Sequence, residues 1–123
     1  MTVARERILI VEDEIFIAMS LRVELERMAC RVLATVSDGA GAVELCARYE
    51  PDIVIMDVRL AGAMDGIQAA AVMREVSSCR IIFVTGYPDR ATEERALALA
   101  PLGFLKKPVS ARDIVSLFRP EER

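Results

Sequence analysis

The sequence of 123 residues contains no histidine. This absence excludes Ser-His-Asp hydrolysis, Cys-His nucleophiles and metal sites built on histidine. It also means that the chain cannot be phosphorylated on a histidine of its own. Any chemistry must therefore depend on carboxylates, hydroxyls, lysines and the backbone.

Cysteine is scarce, with only Cys30, Cys46 and Cys79. The three residues are odd in number, lie far apart and form no C-x-x-C pair. This spacing favours neither a disulfide framework nor a thiolate metal site. We therefore expect buried, reduced thiols.

The sequence also lacks an apolar run of membrane-spanning length, and residues 1–7 are too polar for a secretion signal. We expect a cytoplasmic protein with no membrane contact. The net charge is -3, and no stripe of lysine or arginine is present, which argues against nucleic acid as a direct partner. A chain of this length is typical of one domain and can bury a core without crosslinks.

Five short apolar runs alternate with longer helical stretches. The runs cover residues 8–11, 32–36, 53–56, 81–84 and 102–105. The first four are rich in β-branched residues, and the fifth is not. Because none alternates with polar residues, we expect both faces of each strand to be covered, as in a parallel sheet.

The stretches between the runs have helical spacing. The first four predicted helices contain Ile17, Leu21, Leu25 and Met28; Ala42, Leu45 and Cys46, before Pro51; Ile67, Ala70, Ala71 and Val72; and Ala91–Ala100, before Pro101. Ser110 and Asp113 have the spacing of a capping box that opens a fifth helix, which Pro120 ends. The alternation predicts a single α/β domain of five βα units around a parallel sheet.

Reactive side chains follow these strands, and ligands of open α/β sheets bind beyond the carboxyl ends of the strands. Glu12 and Asp13 follow the first run, Asp57 follows the third, and Thr85 and Lys107 follow the fourth and fifth. Three carboxylates at one edge repel each other unless a cation joins them. Ligands that are all oxygens favour Mg²⁺. An ammonium and a hydroxyl complete a site for a phosphoryl group.

Each of these residues also has an ordinary structural alternative. Asp13 could cap the N-terminus of the first helix, and Asp57 could be a turn residue. Lys106 is expected to be a surface charge. Only the joint placement at successive strand ends predicts a site.

The ordered set of motifs resembles the response-regulator receiver family of two-component signalling. The matching segments are residues 8–14, 52–57, 65–66, 83–86 and 104–108, so the resemblance spans essentially the whole chain. It implies a flavodoxin-like (βα)5 three-layer sandwich with strand order 2-1-3-4-5. It also implies a stand-alone receiver over residues 1–123, without an output domain.

The resemblance assigns a role to each residue of the predicted site. Asp57 would be the phosphoacceptor, and Lys107 would pair with the phosphoryl oxygens. Mg²⁺ would be held by Glu12, Asp13, Asp57 and the backbone carbonyl of Arg59. The phosphoryl group would come from a sensor histidine kinase or a histidine phosphotransfer protein.

The resemblance also implies a switch. Thr85 would hydrogen-bond the phosphoryl group, and Phe104 would report this event on the surface formed by the fourth helix, fifth strand and fifth helix. An unidentified protein would read that surface, and phosphorylation could also produce a homodimer. A phosphate sink or relay step without its own output is an open alternative.

Two other classes fit the residues less well. Aspartyl-phosphate hydrolases carry a second acid two positions after the nucleophile, where this sequence has Arg59. We therefore expect no turnover of a separate substrate. A flavodoxin-like cofactor carrier would cradle phosphate after the first strand, where the acids of residues 12–14 would repel it. The sequence also departs from the receiver pattern at Ala61, where proline is frequent.

Overall fold

The structure is a computed structural model that describes residues 5–120. It contains one parallel sheet of five strands in the order β2-β1-β3-β4-β5. The strands are β1 (Arg7–Val11), β2 (Arg31–Val36), β3 (Ile53–Asp57), β4 (Arg80–Thr85) and β5 (Gly103–Lys106). Every predicted apolar run forms a strand, and the predicted strand order is confirmed.

Five helices connect and follow the strands. They are α1 (Ile15–Arg27), α2 (Gly39–Tyr49), α3 (Gly66–Val76), α4 (Arg90–Leu97) and α5 (Ala111–Val115). Buried side chains of α2, α3 and α4 pack against one face of the sheet, and those of α1 and α5 pack against the other. The predicted three-layer (βα)5 sandwich is confirmed.

The alternation of side chains along each strand divides the core into two clusters. Leu9, Val54 and Phe83 point into one cluster, and their neighbours Ile8 and Ile53 point into the other. Each fully buried side chain of this size contributes roughly 1.5–3 kcal/mol to stability. β1, β3 and β4 therefore form the rigid centre of the domain.

Both faces of the two edge strands are covered, as expected. Side chains of β2 and β5 pack into both core clusters, Ala34 and Phe104 into one and Val32 and Leu105 into the other. β2 and β5 are only partly buried, whereas β3 is buried throughout. An edge strand has a neighbour on one side only, so solvent reaches its outer side.

The helix ends agree with the predicted ones in part. Ser110 and Asp113 form the predicted capping box of α5. α4 ends at Leu97, three residues before the predicted end. Ala100, which precedes Pro101, has a positive φ of 50° and so lies outside the helix. α5 is also shorter than predicted and ends well before Pro120.

All three cysteines are buried, as predicted. Among residues 5–120, no helix has the length and apolar character needed to cross a bilayer. The sequence-based argument on a secretion signal concerns residues 1–7, of which 1–4 lie outside the described part of the chain.

Candidate functional site

Three strands bring a buried ion cluster together at the carboxyl edge of the sheet. Glu12 follows β1, Asp57 ends β3 and Lys107 follows β5. The Nζ atom of Lys107 donates hydrogen bonds to Oε1 of Glu12 and to Oδ2 of Asp57, each at 2.8 Å. Only 6% of Glu12 and 4% of Asp57 is exposed. The predicted gathering of these groups is confirmed.

The environment of Lys107 keeps it charged. Burial alone would lower the pKa of its ammonium, but the hydrogen bonds to Asp57 and Glu12 outweigh burial and raise the pKa above its usual value. A buried carboxylate without such a partner would be strongly unfavourable. Lys107 therefore holds two acids in place at the strand ends, and the trio keeps one excess negative charge.

Asp13 adds a third carboxylate at the mouth of the cluster. Glu12, Asp13 and Asp57 each offer an oxygen, and these oxygens lie within 4.8 Å of one another. Asp13 itself is exposed. The capping alternative fails, because the N-cap residue of α1 is Glu14. With Asp13, the cluster carries three negative charges and one positive charge.

The donor set of this cluster fits a small hard cation. Glu12 and Asp57 each have one oxygen that Lys107 does not hold, Lys107 holds neither oxygen of Asp13, and all potential ligands are oxygens. Two oxygens bound directly to one Mg²⁺ are at most about 4.2 Å apart, twice the usual bond length. The three oxygens lie within 4.8 Å of one another, so direct binding by all of them needs at most a small inward movement or one bridging water.

Thr85 lies buried at the end of β4, next to the ion cluster. Its neighbour Val84 pairs with Asp57 across the sheet. The Thr85 hydroxyl accepts a hydrogen bond from the backbone N–H of Tyr87 at 3.2 Å. The backbone carbonyl of Thr85 accepts a bond from Lys107 N–H at 2.8 Å. Thr85 and Lys107 are thus connected directly through the backbone.

Phe104 lies on β5 and pairs in register with Phe83 of β4. It is half-buried and packs against the core cluster on the α2, α3 and α4 face. Thr85 is two residues beyond Phe83, so Thr85 and Phe104 lie on the same face of the sheet. The two predicted switch residues are therefore near neighbours.

Arg59 and Tyr87 flank the outer side of the site. The backbone N–H of Arg59 donates to Oδ1 of Asp57 at 3.1 Å. The Arg59 guanidinium lies over the Tyr87 ring, 5.0 Å from its centre. Both side chains line a cavity of about 520 Å³. The carbonyl of Arg59 as a metal ligand stays a prediction.

The sequence motif Asp65–Gly66 has a steric reason that sequence reasoning missed. A Cβ atom on Gly66 would lie 2.1 Å from the backbone oxygen of Asp57. The Gly66 N–H also donates to the carbonyl of Val58 at 2.8 Å. Glycine thus lets the start of α3 contact the backbone that carries Asp57.

An apolar surface on α1 beside the site was also missed. Phe16 is 83% exposed and Ile15 is 65% exposed. A cavity of about 330 Å³ lies next to Phe16 and extends to Lys107 and Val109. The signal in the sequence was three consecutive bulky apolar residues, Ile15 to Ile17, of which one helix face can bury only part.

The family model of the response regulator receiver domain matches residues 8–119. The transcriptional regulatory protein PdtaR of Mycobacterium tuberculosis is 36% identical over 109 residues, which are 89% of this chain and 53% of PdtaR. The chemotaxis protein CheY of Bacillus subtilis is 32% identical over 106 residues, 85% of this chain and 88% of CheY. The chain spans about half the length of several curated relatives, PdtaR among them.

A solved structure of a receiver domain has the same fold as this chain. The signal receiver domain of a modulated diguanylate cyclase from Desulfovibrio desulfuricans G20 superposes with a TM-score of 0.87 and 36% sequence identity. The match covers 93% of this chain and 90% of that domain.

Proposed function

This chain belongs to the response regulator receiver domain family, and we propose that it is switched by a phosphoryl group accepted on Asp57. The observation that carries the proposal is the contact of one ammonium with two buried acids. Lys107 bridges Glu12 and Asp57 at 2.8 Å, and Asp13 completes the acidic cluster.

In the proposed reaction, an oxygen of the Asp57 carboxylate forms a bond to phosphorus while the bond from phosphorus to the donor nitrogen breaks. The product is an acyl phosphate. The transition state of phosphoryl transfer is loose, so catalysis is mainly positioning and neutralisation of charge. Lys107 neutralises charge, and the N–H of Arg59 orients the carboxylate through its bond to Oδ1.

We propose Mg²⁺ as the cofactor, held by Glu12, Asp13, Asp57 and the carbonyl of Arg59. When bound, Mg²⁺ neutralises charge on the phosphoryl oxygens and on the clustered acids. The open position of Asp13 and the oxygen-only donor set support this assignment.

The proposed phosphodonor is a sensor histidine kinase or a histidine phosphotransfer protein. Such a partner must bring its phosphohistidine to Asp57 and cover the surface around it. The exposed Phe16 and Ile15 beside the site supply apolar contact area for that encounter.

The proposed output surface is formed by α4, β5 and α5. Phosphorylation adds close to two negative charges and strong hydrogen-bond acceptors beside Thr85. When Thr85 turns its hydroxyl toward these oxygens, the space it leaves allows Phe104 to move inward. Phe104 is half-buried against the same core cluster, so its movement changes the packing of α4.

Several finer expectations remain predictions. These are the absence of an output domain, homodimer formation on phosphorylation, a cytoplasmic location and the lack of direct contact with nucleic acid. A phosphate sink or relay is the second candidate function, because the same site chemistry would serve it. We assign no turnover of a separate substrate, since Arg59 occupies the place of a second acid.

The replacement of Asp57 by asparagine tests the proposed phosphoacceptor. Incubation of the wild-type chain with a small acyl phosphate and Mg²⁺ should produce an acid-labile gain of one phosphoryl group in intact mass, and Asp57→Asn should abolish it. Asp52→Asn is the matched control, because Asp52 precedes the same strand but lies at its opposite end, where it accepts the N–H of Arg7. Labelling that persists in Asp57→Asn would place the phosphoacceptor elsewhere.

The proposed switch is tested by NMR. Addition of Mg²⁺ and beryllium fluoride, a phosphoryl mimic, should shift backbone amide signals of Phe104 and of α4, because Thr85 and Phe104 share one sheet face. Asp57→Asn is the control and should show no such shifts. Signals that move only in the loop after β3 would contradict the coupling.

A further inference from the structure

Two of the buried cysteines are neighbours in the fold, although 33 residues separate them in the chain. Cys46 belongs to α2 and Cys79 directly precedes β4. Their sulfur atoms are 3.3 Å apart, within hydrogen-bond distance for sulfur. Cys30 lies in the other core cluster, on the opposite face of the sheet.

Cys79 is the more accessible residue of the pair. Cys79 lines a cleft of about 630 Å³ at the amino end of the sheet, together with Arg74, Ser77 and Arg80. Cys79 is 4% exposed and Cys46 is 0% exposed. A small polar reagent that enters the cleft therefore meets Cys79 first.

The surroundings also distinguish the two thiols chemically. The hydrogen bond from Cys46, together with the Ser77 hydroxyl and the charge of Arg74, outweighs burial and lowers the pKa of Cys79 to about 7. The same sulfur contact and burial raise the pKa of Cys46 well above its usual value. Cys79 is thus the thiolate of the pair near neutral pH, and the thiolate is the reactive form.

We propose that Cys46 and Cys79 are a modification site that forms a reversible intramolecular disulfide when a hydroperoxide oxidises it. The sulfurs need to approach from 3.3 Å to about 2.05 Å, a movement of little more than 1 Å. The proposal does not depend on phosphorylation, because the pair lies at the opposite end of the sheet from Asp57.

The oxidation has two steps. The Cys79 thiolate attacks one peroxide oxygen, an S–O bond forms, the O–O bond breaks, and the leaving oxygen takes up a proton as water or alcohol. The Cys46 sulfur then attacks the Cys79 sulfenic acid, the S–S bond forms and the S–O bond breaks. The departing hydroxide takes the Cys46 proton and leaves as water. The two sulfurs together lose two electrons, which the peroxide gains, and a dithiol reverses the crosslink by exchange.

The test treats the folded, reduced chain with hydrogen peroxide, removes the peroxide with catalase and counts free thiols by alkylation in denaturant. We expect two thiols to be lost, the loss of two hydrogens in intact mass, a crosslinked peptide that joins Cys46 to Cys79, and full recovery with dithiothreitol. The rate of thiol loss should rise with pH, because the thiolate is the reactive form and the surroundings of Cys79 lower the pKa of its thiol. Cys30→Ser is the matched control and should give the same crosslink.

Two variants separate the roles of the pair. In Cys46→Ser, Cys79 should stop at the sulfenic acid, which dimedone traps, while in Cys79→Ser the Cys46 thiol should stay unreacted. Circular dichroism verifies that each variant is folded. Retention of all three thiols by the folded wild-type chain, at a peroxide dose that oxidises glutathione, would overturn the proposal, as would a crosslink that involves Cys30.

Discussion

Replacement of Asp13 by asparagine should stabilise the metal-free domain and reduce the stabilisation that Mg²⁺ provides. Asp13 faces Glu12, Asp57 and Lys107, whose charges sum to one negative charge. Its carboxylate is therefore repelled in the absence of a metal. The same concentration of negative charge attracts a divalent cation, so the Asp13 carboxylate stabilises the metal-bound domain.

The distances in the site set the size of the effect. At 4.8 Å, the upper limit of the separation between these oxygens, two unit charges interact by about 0.9 kcal/mol in water and by about 3.5 kcal/mol at an effective dielectric constant of 20. Because Asp13 is exposed, the lower figure applies, and we expect the variant to gain about 1 kcal/mol in EDTA. This gain corresponds to a rise of about 3–6 °C in Tm.

Mg²⁺ should stabilise the wild-type domain more than the Asp13→Asn variant. At a concentration ten times its Kd, Mg²⁺ stabilises the wild-type domain by about 1.4 kcal/mol. If the loss of one ligand weakens binding tenfold, the variant gains only about 0.4 kcal/mol under the same conditions. The two proteins should therefore differ in EDTA and become nearly equal in Mg²⁺.

Urea unfolding followed by circular dichroism, in EDTA and in Mg²⁺, measures the stability of the metal-free domain and the stabilisation that Mg²⁺ provides. Glu44→Gln is the matched control, since it removes one exposed negative charge from α2, outside the acidic cluster. This control should leave both the stability in EDTA and the Mg²⁺ effect nearly unchanged. If Asp13→Asn unfolds at lower urea than the wild type in EDTA, or keeps the full Mg²⁺ stabilisation, the electrostatic account of the cluster is wrong.

Two further substitutions test the structure around the site. Gly66→Ala should lower the free energy of unfolding in urea by roughly 2–4 kcal/mol, because its Cβ would lie 2.1 Å from the Asp57 carbonyl oxygen. Gly86→Ala is the control and should be nearly neutral, because a Cβ at Gly86 would meet no other atom within 4 Å. Equal stability of the two variants would contradict the assigned contact. Glu6→Gln should cost about 1 kcal/mol at pH 7, because the hydrogen bond from Arg119 lowers the pKa of Glu6. Since the folded pKa is depressed, this stability is present above the unfolded pKa of about 4.3 and is lost as pH falls through the folded pKa. The difference in unfolding free energy between wild type and variant should accordingly shrink from pH 7 to pH 3.5, and a difference that stays constant would refute the linkage.

Strand-end reasoning identified the centre of the site from sequence because a parallel sheet leaves little freedom there. Once Glu12, Asp57 and Lys107 are known to lie at the carboxyl ends of strands of one parallel sheet, their side chains are expected at one edge. Buried apolar runs define the strands, and the positions just after them define the edge. This information is local in the chain, so it can be read without coordinates.

Contacts across the domain could not be read in this way. Phe16 became exposed because α1 turned its other face to the core. The need for glycine at position 66 arises from the path of the Asp57 backbone. Each of these features is set by where a distant segment packs.

The sequence alone determined the number of strands, their parallel arrangement and the acids and lysine that converge at their ends, because hydrophobic patterning and chain direction are local properties. Only the tertiary structure decided that Lys107 contacts two acids at once and that Cys46 meets Cys79. The physical reason is that side-chain distances between remote segments depend on how helices pack on the sheet, and no spacing in the chain encodes that packing.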